Sequence, residues 1–512
     1  MKHRLARPIA TVLAVQLLLS ACSATAHSPP LSPVSTWPEP KPQVGPSHAQ
    51  QYQHYPQYPV YPVVRTVPNF QAPSGAHCSR PVQTKEVPGR RADEQVAAGR
   101  TEPLRDRMAK AAPGEAAPAA PSVRAESSAG VAAGSSRSAD SFAPPAPPQS
   151  RPWPAPAQPA PQMQRPPSGG PVTAGMVDDN ADFTAYLAFR NRTRVQHRPR
   201  DIRERYLLEV KDVRGTGIPD AEVAVQSASG HAMWARTDAA GRAWIHPNAF
   251  DPSQAASYEA AVRKEGRQAW GRLARGQKSS VEVTLDARPA QARARLDLVF
   301  MIDATGSMAD EIDKLKTTLR SISAEVSRLP SDPDLCFGLV AYRDRGDAFL
   351  TRTHDLTDDL GGFLQGALIP LQAGGGGDYP EAMNEAFHET VHNISWRGEG
   401  ATRMVILLAD APPHLDYGGP QYDEAMMAAL GKGIKVHSVG ASGLDKQGEF
   451  IQRQIAQYTG GQFVFLTYDQ ARNPSSGPGR ETVHDVKNYS VDTLDRLIVR
   501  LVSQELGKLA HR

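Results

Sequence analysis

The chain has 512 residues, and 57 Lys and Arg against 54 Asp and Glu give a formal net charge of +3. That balance excludes the strongly basic surface on which nucleic-acid binding depends. Its 45 prolines are too many for one packed globule, so the length allows two or three domains while the composition withholds much of the chain from any of them.

Residues 1–21 read as a secretory signal: Met1-Lys2-His3-Arg4 and Arg7 are basic, and Ile9 to Leu19 is apolar. That run is well short of the roughly 20 residues a spanning helix needs. It ends Leu19-Ser20-Ala21-Cys22, which resembles the bacterial lipobox. The resemblance implies cleavage before Cys22 and a lipid on that residue; the alternative is an ordinary cleavage site with an incidental Cys. Acyl chains, at about 0.8 kcal/mol per buried methylene, hold such a residue in a membrane without a spanning helix. Ser23 in place of Asp implies the outer rather than the inner membrane, so the expectation is a lipid-anchored protein of the bacterial envelope.

From 22 to 175 the chain is dominated by Pro, Ala, Ser, Gln and Gly, with runs such as Pro144-Pro145-Ala146-Pro147-Pro148. Too little apolar surface exists there to offset ordering entropy, so this stretch is expected to be a disordered tether. Cys78 lies in it and Cys336 starts an apolar strand; a bridge between the two is not expected, and Cys336 reads as simply buried. Residues 176–198 form a lead-in, with Phe183, Tyr186, Leu187 and Phe189 spaced for a short helix.

Residues 199–288 change character. Short strands are expected at Tyr206–Val210, Ala221–Val225, Trp234–Thr237, around Ala243–Ile245, and at Val281–Leu285, separated by Gly and Asp turns. The pattern predicts a small antiparallel sandwich. The wording around Pro219-Asp220-Ala221-Glu222-Val223 and Thr237-Asp238 resembles transthyretin-like or carboxypeptidase-regulatory-like sandwiches. Asp220 and Asp238 read as turn formers rather than calcium ligands.

Residues 292–510 alternate strands with amphipathic helices, which predicts an α/β, doubly wound, mostly parallel sheet. Leu296 to Ile302 is an almost unbroken apolar run ending on Asp303, with Thr305 and Ser307 following at spacings of two. A carboxylate and two hydroxyls on one turn suit a hard cation, Mg2+ above all, with Mn2+ or Ca2+ as alternatives. A second strand at Cys336–Tyr342, an edge strand at Phe349–Thr353, a helix from Pro380 to His392 and a strand at Arg403–Ala409 lead to Asp410. Parallel sheets bind ligands beyond the carboxyl ends of their strands, and Asp303 and Asp410 both end strands.

Asp303-x-Thr305-x-Ser307 after an apolar strand resembles the first segment of the metal-ion-dependent adhesion site of von Willebrand factor A domains, usually Asp-x-Ser-x-Ser. The resemblance covers about residues 294 to 510. It implies a metal site completed by a Gly-rich loop, here Gly374 to Glu381, and by Asp410. Where the family has Thr on that loop this chain has Asp378, with Glu381 three residues on as a possible further ligand, and this wording is similar to the loop of integrin beta subunits. Extra carboxylates neutralise more of the metal's charge and weaken its pull on an acidic ligand.

Singly, each of these residues has a plainer reading. Asp303 caps a helix, Thr305 and Ser307 satisfy amides, Asp410 holds a turn, and Glu381 sits at a helix N-terminus. Arg345-Gly346-Asp347 reads as a polar turn and His414 as a rim residue without a catalytic partner. The expected function is therefore not catalytic: an anchored protein whose metal accepts an acidic residue from a partner protein or cell-surface ligand. The same motifs also resemble the A domains attached to some alpha-kinases, so an accessory subunit of a kinase-like or ATPase system is the alternative, and a structural envelope spacer a third.

Overall fold

The computed structural model describes Cys78 and residues 83–90, 171–287, 293–377, 379–398 and 400–510. The elements before the main domain are β1 (Thr84–Val87), β2 (Thr173–Val177), α1 (Phe183–Arg192), β3 (Tyr206–Lys211), β4 (Glu222–Ser227), β5 (Ala232–Arg236), β6 (Arg242–Ile245), β7 (Ser257–Lys264), β8 (Arg267–Ala274) and β9 (Val281–Thr284). Then follow β10 (Arg295–Asp303), α2 (Ala309–Val326), β11 (Asp334–Tyr342), β12 (Thr351–Thr357), α3 (Met383–His392), β13 (Ala401–Ala409), α4 (Tyr422–Gly431), β14 (Ile434–Gly440), α5 (Lys446–Tyr458), β15 (Phe463–Gln470), β16 (Asn473–Pro478), β17 (Val491–Thr493) and α6 (Leu494–Ala510).

The unbroken apolar run of β10 makes sense once both faces of its sheet are covered. Leu296, Leu298, Phe300 and Ile302 enter one hydrophobic cluster, shared with Ile312, Leu315 and Leu319 of α2 and Leu497, Ile498 and Leu501 of α6. Val299 and Met301, pointing the other way, enter a second cluster with Phe387 of α3, Met426 of α4 and Ile451 of α5. A strand has period two, so a residue of either parity must be apolar when helices lie on both sides. β13 repeats the device, with Met404, Ile406 and Leu408 on one face and Val405 and Leu407 on the other.

The main sheet runs β1-β12-β11-β10-β13-β14-β15-β2-β17. β10 pairs in parallel with both β11 and β13, so the chain leaves β10 to one side and later returns to the other. The carboxyl end of β10 is thus a topological switch point, where parallel sheets open a crevice for a ligand.

The end strands come from an unexpected place. β1 pairs antiparallel with β12, and β2 lies antiparallel on β15. Both fall within 22–175 or across its boundary, so the expectation of a tether loose over that whole stretch is corrected. The absence of a bridge is corrected too: Cys78 and Cys336 form a disulfide, with Cα atoms 6.0 Å apart. Composition misled here because short, exposed strands need backbone pairing and an anchor more than apolar side chains. The signal, Cys22 and most of the tether lie outside the described residues. Among the described residues no helix is long and apolar enough to cross a membrane.

The region before the main domain has a three-stranded sheet, β6-β3-β9, and a four-stranded sheet, β5-β4-β7-β8. One expected feature changes: β3 and β9 pair in parallel, so the arrangement is not wholly antiparallel. The hairpin of β7 and β8 was not anticipated, because its alternation is diluted by Arg, Gln and Gly. Asp220 is a turn residue with φ of 51°, as expected, and it does more. It is buried against Arg236 (2.9 Å) and Lys264 (3.5 Å) of the small sheets and Arg403 (2.9 Å) of β13. Burial alone would raise its pKa, but the charges of Arg236, Arg403 and Lys264 hold it well below the usual carboxylate range. Asp220→Asn keeps the left-handed turn and removes the one charge that Arg236, Lys264 and Arg403 share. It should lower stability by about 3–5 kcal/mol in chemical denaturation at pH 7, and that difference should shrink as pH falls through the folded-state pKa of Asp220, where the wild-type carboxylate takes up a proton. A loss under about 1 kcal/mol, on the scale of an exposed pair, would mean that the cluster does not join the two parts.

Candidate metal centre

Four loops meet at the carboxyl ends of β10, β11 and β13, and backbone hydrogen bonds tie them. Ala304 N donates to Tyr342 O (2.8 Å), Gly374 N to Ala304 O (3.0 Å), Gly306 N to Gly375 O (3.0 Å) and Glu381 N to Pro412 O (3.1 Å). The turn after β10, the end of β11, the Gly-rich loop and the turn after β13 are therefore one framework. Gly376 is held in left-handed backbone with φ of 69°, and a Cβ there would lie 2.8 Å from Glu381 Oε1 and 2.9 Å from Thr305 Cβ. Glycine is what lets this loop close over the site.

Within the framework, the Asp303 carboxylate accepts from Thr305 Oγ1 (2.7 Å) and Thr305 N (3.0 Å) through the same oxygen, Oδ1. Thr305 Oγ1 and Ser307 Oγ are 3.1 Å apart. Asp410 is pushed above the ordinary carboxylate range by burial, against the opposing pull of the Ser307 hydroxyl. Burial, then the neighbouring charge of Asp410, raises Asp303 to about 7. Burial, then the charges of Asp303, Asp344, Asp410 and Asp347, raises Glu381 to about 9. The structure therefore brings Asp303, Thr305, Ser307, Asp410 and Glu381 together, whereas Asp378 lies outside the described residues.

Whether a cation fits this set is answered by its loose ends. Asp303 Oδ2, Asp410 Oδ1 and Glu381 Oε2 are all buried, and none has a hydrogen-bond partner. A buried acceptor normally finds a donor. Here three carboxyl groups crowd one another, so each resists ionisation as it stands, with Asp303 raised to about 7 and Glu381 to about 9, and a positive ion would favour their charged forms. Among the described residues no three His, Cys, Asp or Glu side chains form a metal cage by themselves. What converges is two carboxylates with two hydroxyls, the donor set of a hard cation that keeps part of its water.

Two expectations about the rim change. Pro380 does not open α3, which starts at Met383, because the Glu381–Pro412 hydrogen bond pulls the loop toward β13 first; Glu381 therefore faces the acidic pocket rather than a helix end. His414 is buried, not on the rim, with Nε2 3.2 Å from Asp344 Oδ1 and its ring 4.6 Å from that of Tyr417. Arg345-Gly346-Asp347 is a turn, as expected, but Asp347 also accepts from Gly376 N (2.8 Å) and Asp344 N (3.0 Å). Asp344 and Asp347 follow the end of β11, so strand-end carboxylates were the signal that marked them. Glu311, buried on α2 and bonded to the hydroxyls of Ser442 and Tyr468, had none.

Residues 297–414 match the family model of the von Willebrand factor A domain, and the mixed, mostly parallel sheet fits it; the chain carries such a domain. It is 30% identical over 140 residues to the alpha-protein kinase vwkA of Dictyostelium discoideum, a match covering 27% of this chain and 22% of that one. It is 32% identical over 125 residues to the ariadne-like RING finger protein R811 of Acanthamoeba polyphaga mimivirus, covering 24% and 12%. The matches thus span under a quarter of either relative. Among solved structures, the open conformation of the pilus adhesin SpaC from Lactobacillus rhamnosus GG aligns at 15% identity with a TM-score of 0.28, over 51% of this chain and 35% of that one. That likeness is too slight to carry an argument.

Protons and cations compete for the Asp303–Asp410 pair. With Asp303 raised to about 7, the pair takes up a proton as pH falls through neutrality, so cation affinity should fall in the same direction. Calorimetric titration with Mn2+ at pH 8 and at pH 5.5 should show affinity lower by on the order of tenfold at the lower pH. Equal affinities would show that these carboxylates do not hold the ion.

Proposed function

We propose that this chain is an envelope-anchored recognition protein whose von Willebrand factor A domain binds a divalent cation, Mg2+ in the first place, and through it an acidic residue of a partner protein or surface ligand. The observation that carries the reading is the convergence of Asp303, Thr305, Ser307 and Asp410 at the switch point, with buried carboxylate oxygens left unpartnered. The ion, when bound, supplies an open coordination position for a carboxylate. The chain's own residues do the rest: Thr305 fixes the rotation of Asp303, the loop framework sets the separation of the two carboxylates, and Gly376 keeps side chains out of the space between. Glu381, raised to about 9 without a cation, would give up its proton beside a bound one, adding negative charge that holds the ion and moderates its pull on an anionic partner. The anchor belongs to the same proposal, with Cys22 carrying lipid and the Pro-rich segment supplying reach from the outer membrane.

Of the two curated relatives, one is named a kinase and the other a RING finger protein, two unlike activities, and the match covers under a quarter of each.

Asp303→Ala and Asp410→Ala should each reduce Mn2+ affinity by about a hundredfold or more, as loss of a charged ligand does, with the circular dichroism spectrum unchanged. A peptide presenting a single Asp should bind the immobilised wild-type protein in Mg2+ and leave it in EDTA. Retention of the peptide in EDTA, or wild-type affinity in both variants, would defeat the proposal.

A further inference from the structure

A segment that composition assigns to the tether is built into the sheet and ends beside the candidate metal centre. β1 lies on β12 in register Thr84↔His354 to Val87↔Thr351. Its flanks extend the pairing: Gln83 O accepts from Asp355 N (2.9 Å), Val87 O from Leu350 N (2.8 Å) and Gly89 O from Gly346 N (2.9 Å). Arg90 donates to the Gly346 carbonyl, Lys85 pairs with Glu389 at 3.1 Å and Glu86 with Arg352 at 2.7 Å. Upstream, Cys78 is covalently joined to Cys336 of β11.

The contact with the loop after β11 is close. A Cβ on Gly89 would lie 2.5 Å from Asp347 O and 3.0 Å from Asp344 O. That loop in turn holds the Gly-rich loop, because Gly376 N donates to Asp347 Oδ2 (2.8 Å), and Gly375 and Gly376 both adopt left-handed backbone, with φ of 77° and 69°. Gly376 then lies against Thr305 and Glu381. The path from strap to site is therefore Gly89, Gly346–Asp347, Gly376, Thr305, with a named contact at each step. β1 gains little from side-chain burial: Thr84, Lys85 and Glu86 are exposed, so backbone pairing and polar contacts at its surface carry it, and such an edge is prone to local opening. The covalent tie just upstream narrows the positions the strand can take when unpaired.

We infer that residues 83–90 are a strap, locked by the Cys78–Cys336 disulfide, which positions the candidate cation site through Gly346, Asp347 and Gly376, and that reducing this disulfide loosens the site. The inference rests on the cation reading for its effect on binding, but not for the strap itself. The redox step is thiol–disulfide exchange with a dithiol: the dithiol gives two electrons and two protons, the Cys78–Cys336 bond breaks to two thiols, and the dithiol closes to its own disulfide. Asp347 acts here as a positioning residue, through Gly376.

The test uses the full chain in four forms: oxidised, reduced with dithiothreitol, Cys78→Ser, and Gly89→Val, which displaces the strap with the disulfide intact. Amide hydrogen exchange is followed at residues 344–347 and 374–377, and Mn2+ affinity by calorimetry. Reduction and both variants should raise exchange in these two loops and weaken Mn2+ binding, each by about tenfold, while exchange in β10 and β13 stays as in the oxidised protein. Unchanged exchange in 374–377 after reduction and in Cys78→Ser overturns the strap whatever Mn2+ does. Faster exchange with unchanged Mn2+ affinity overturns its link to the site. Oxidised wild-type protein that takes up no Mn2+ defeats the cation reading instead, and exchange alone then decides on the strap.

Discussion

Like charges buried together constrain everything else in this protein. Asp303 and Asp410 end adjacent parallel strands, and Glu381 is drawn beside them by its backbone bond to Pro412. Desolvation disfavours the charged form of all three, the charge of Asp410 disfavours that of Asp303, and both disfavour that of Glu381. A fold tolerates such a pocket when the surrounding framework over-determines it and something positive relieves it. The framework is visible in the hydrogen bonds that join four loops into one unit. Under the proposed reading a divalent cation supplies that relief, beside the buried oxygens Asp303 Oδ2, Asp410 Oδ1 and Glu381 Oε2.

The rest of the architecture serves that framework. Helices on both sides of the sheet go with the mostly apolar faces of β10 and β13, and the parallel pairing of these strands puts Asp303 beside Asp410. The small sheets are joined to the opposite end of the domain through Asp220 and its three cations, at the amino end of β13. The buried Asp297–Arg397 pair, 2.5 Å apart, ties β10 to the segment before β13. Asp220 and Asp297 are thus paired with cations near the amino ends of the strands, whereas at the carboxyl ends Asp303 and Glu381 sit among other carboxyl groups.

Much of this was legible in the sequence. The apolar run from Leu296 to Ile302 announced a strand buried on both faces, and the spacing of Thr305 and Ser307 after Asp303 announced that their side chains would meet, because both depend on neighbouring residues. What depends on distant residues was not legible. Nothing near Thr84 says that it will pair with His354, and Cys78 in a proline-rich context gave no sign of Cys336 as its partner. Sequence leaves Glu381 open between a further ligand and a helix-end charge; a hydrogen bond across to Pro412 keeps it out of the helix, which starts at Met383. Asp347 looked like a turn residue and is one, yet its grip on Gly376 appears only when the loops are folded together.

The most direct measurement is a crystal structure of the main domain with its preceding sheets and strap, grown with Mn2+ and recorded at an energy where manganese scatters anomalously. The account predicts a single strong peak at the carboxyl end of β10, with Ser307 Oγ about 2.1 Å away and the carboxylates of Asp303 and Asp410 turned toward the ion directly or through one water. A peak elsewhere, or an empty site with those carboxylates still facing one another, would contradict it.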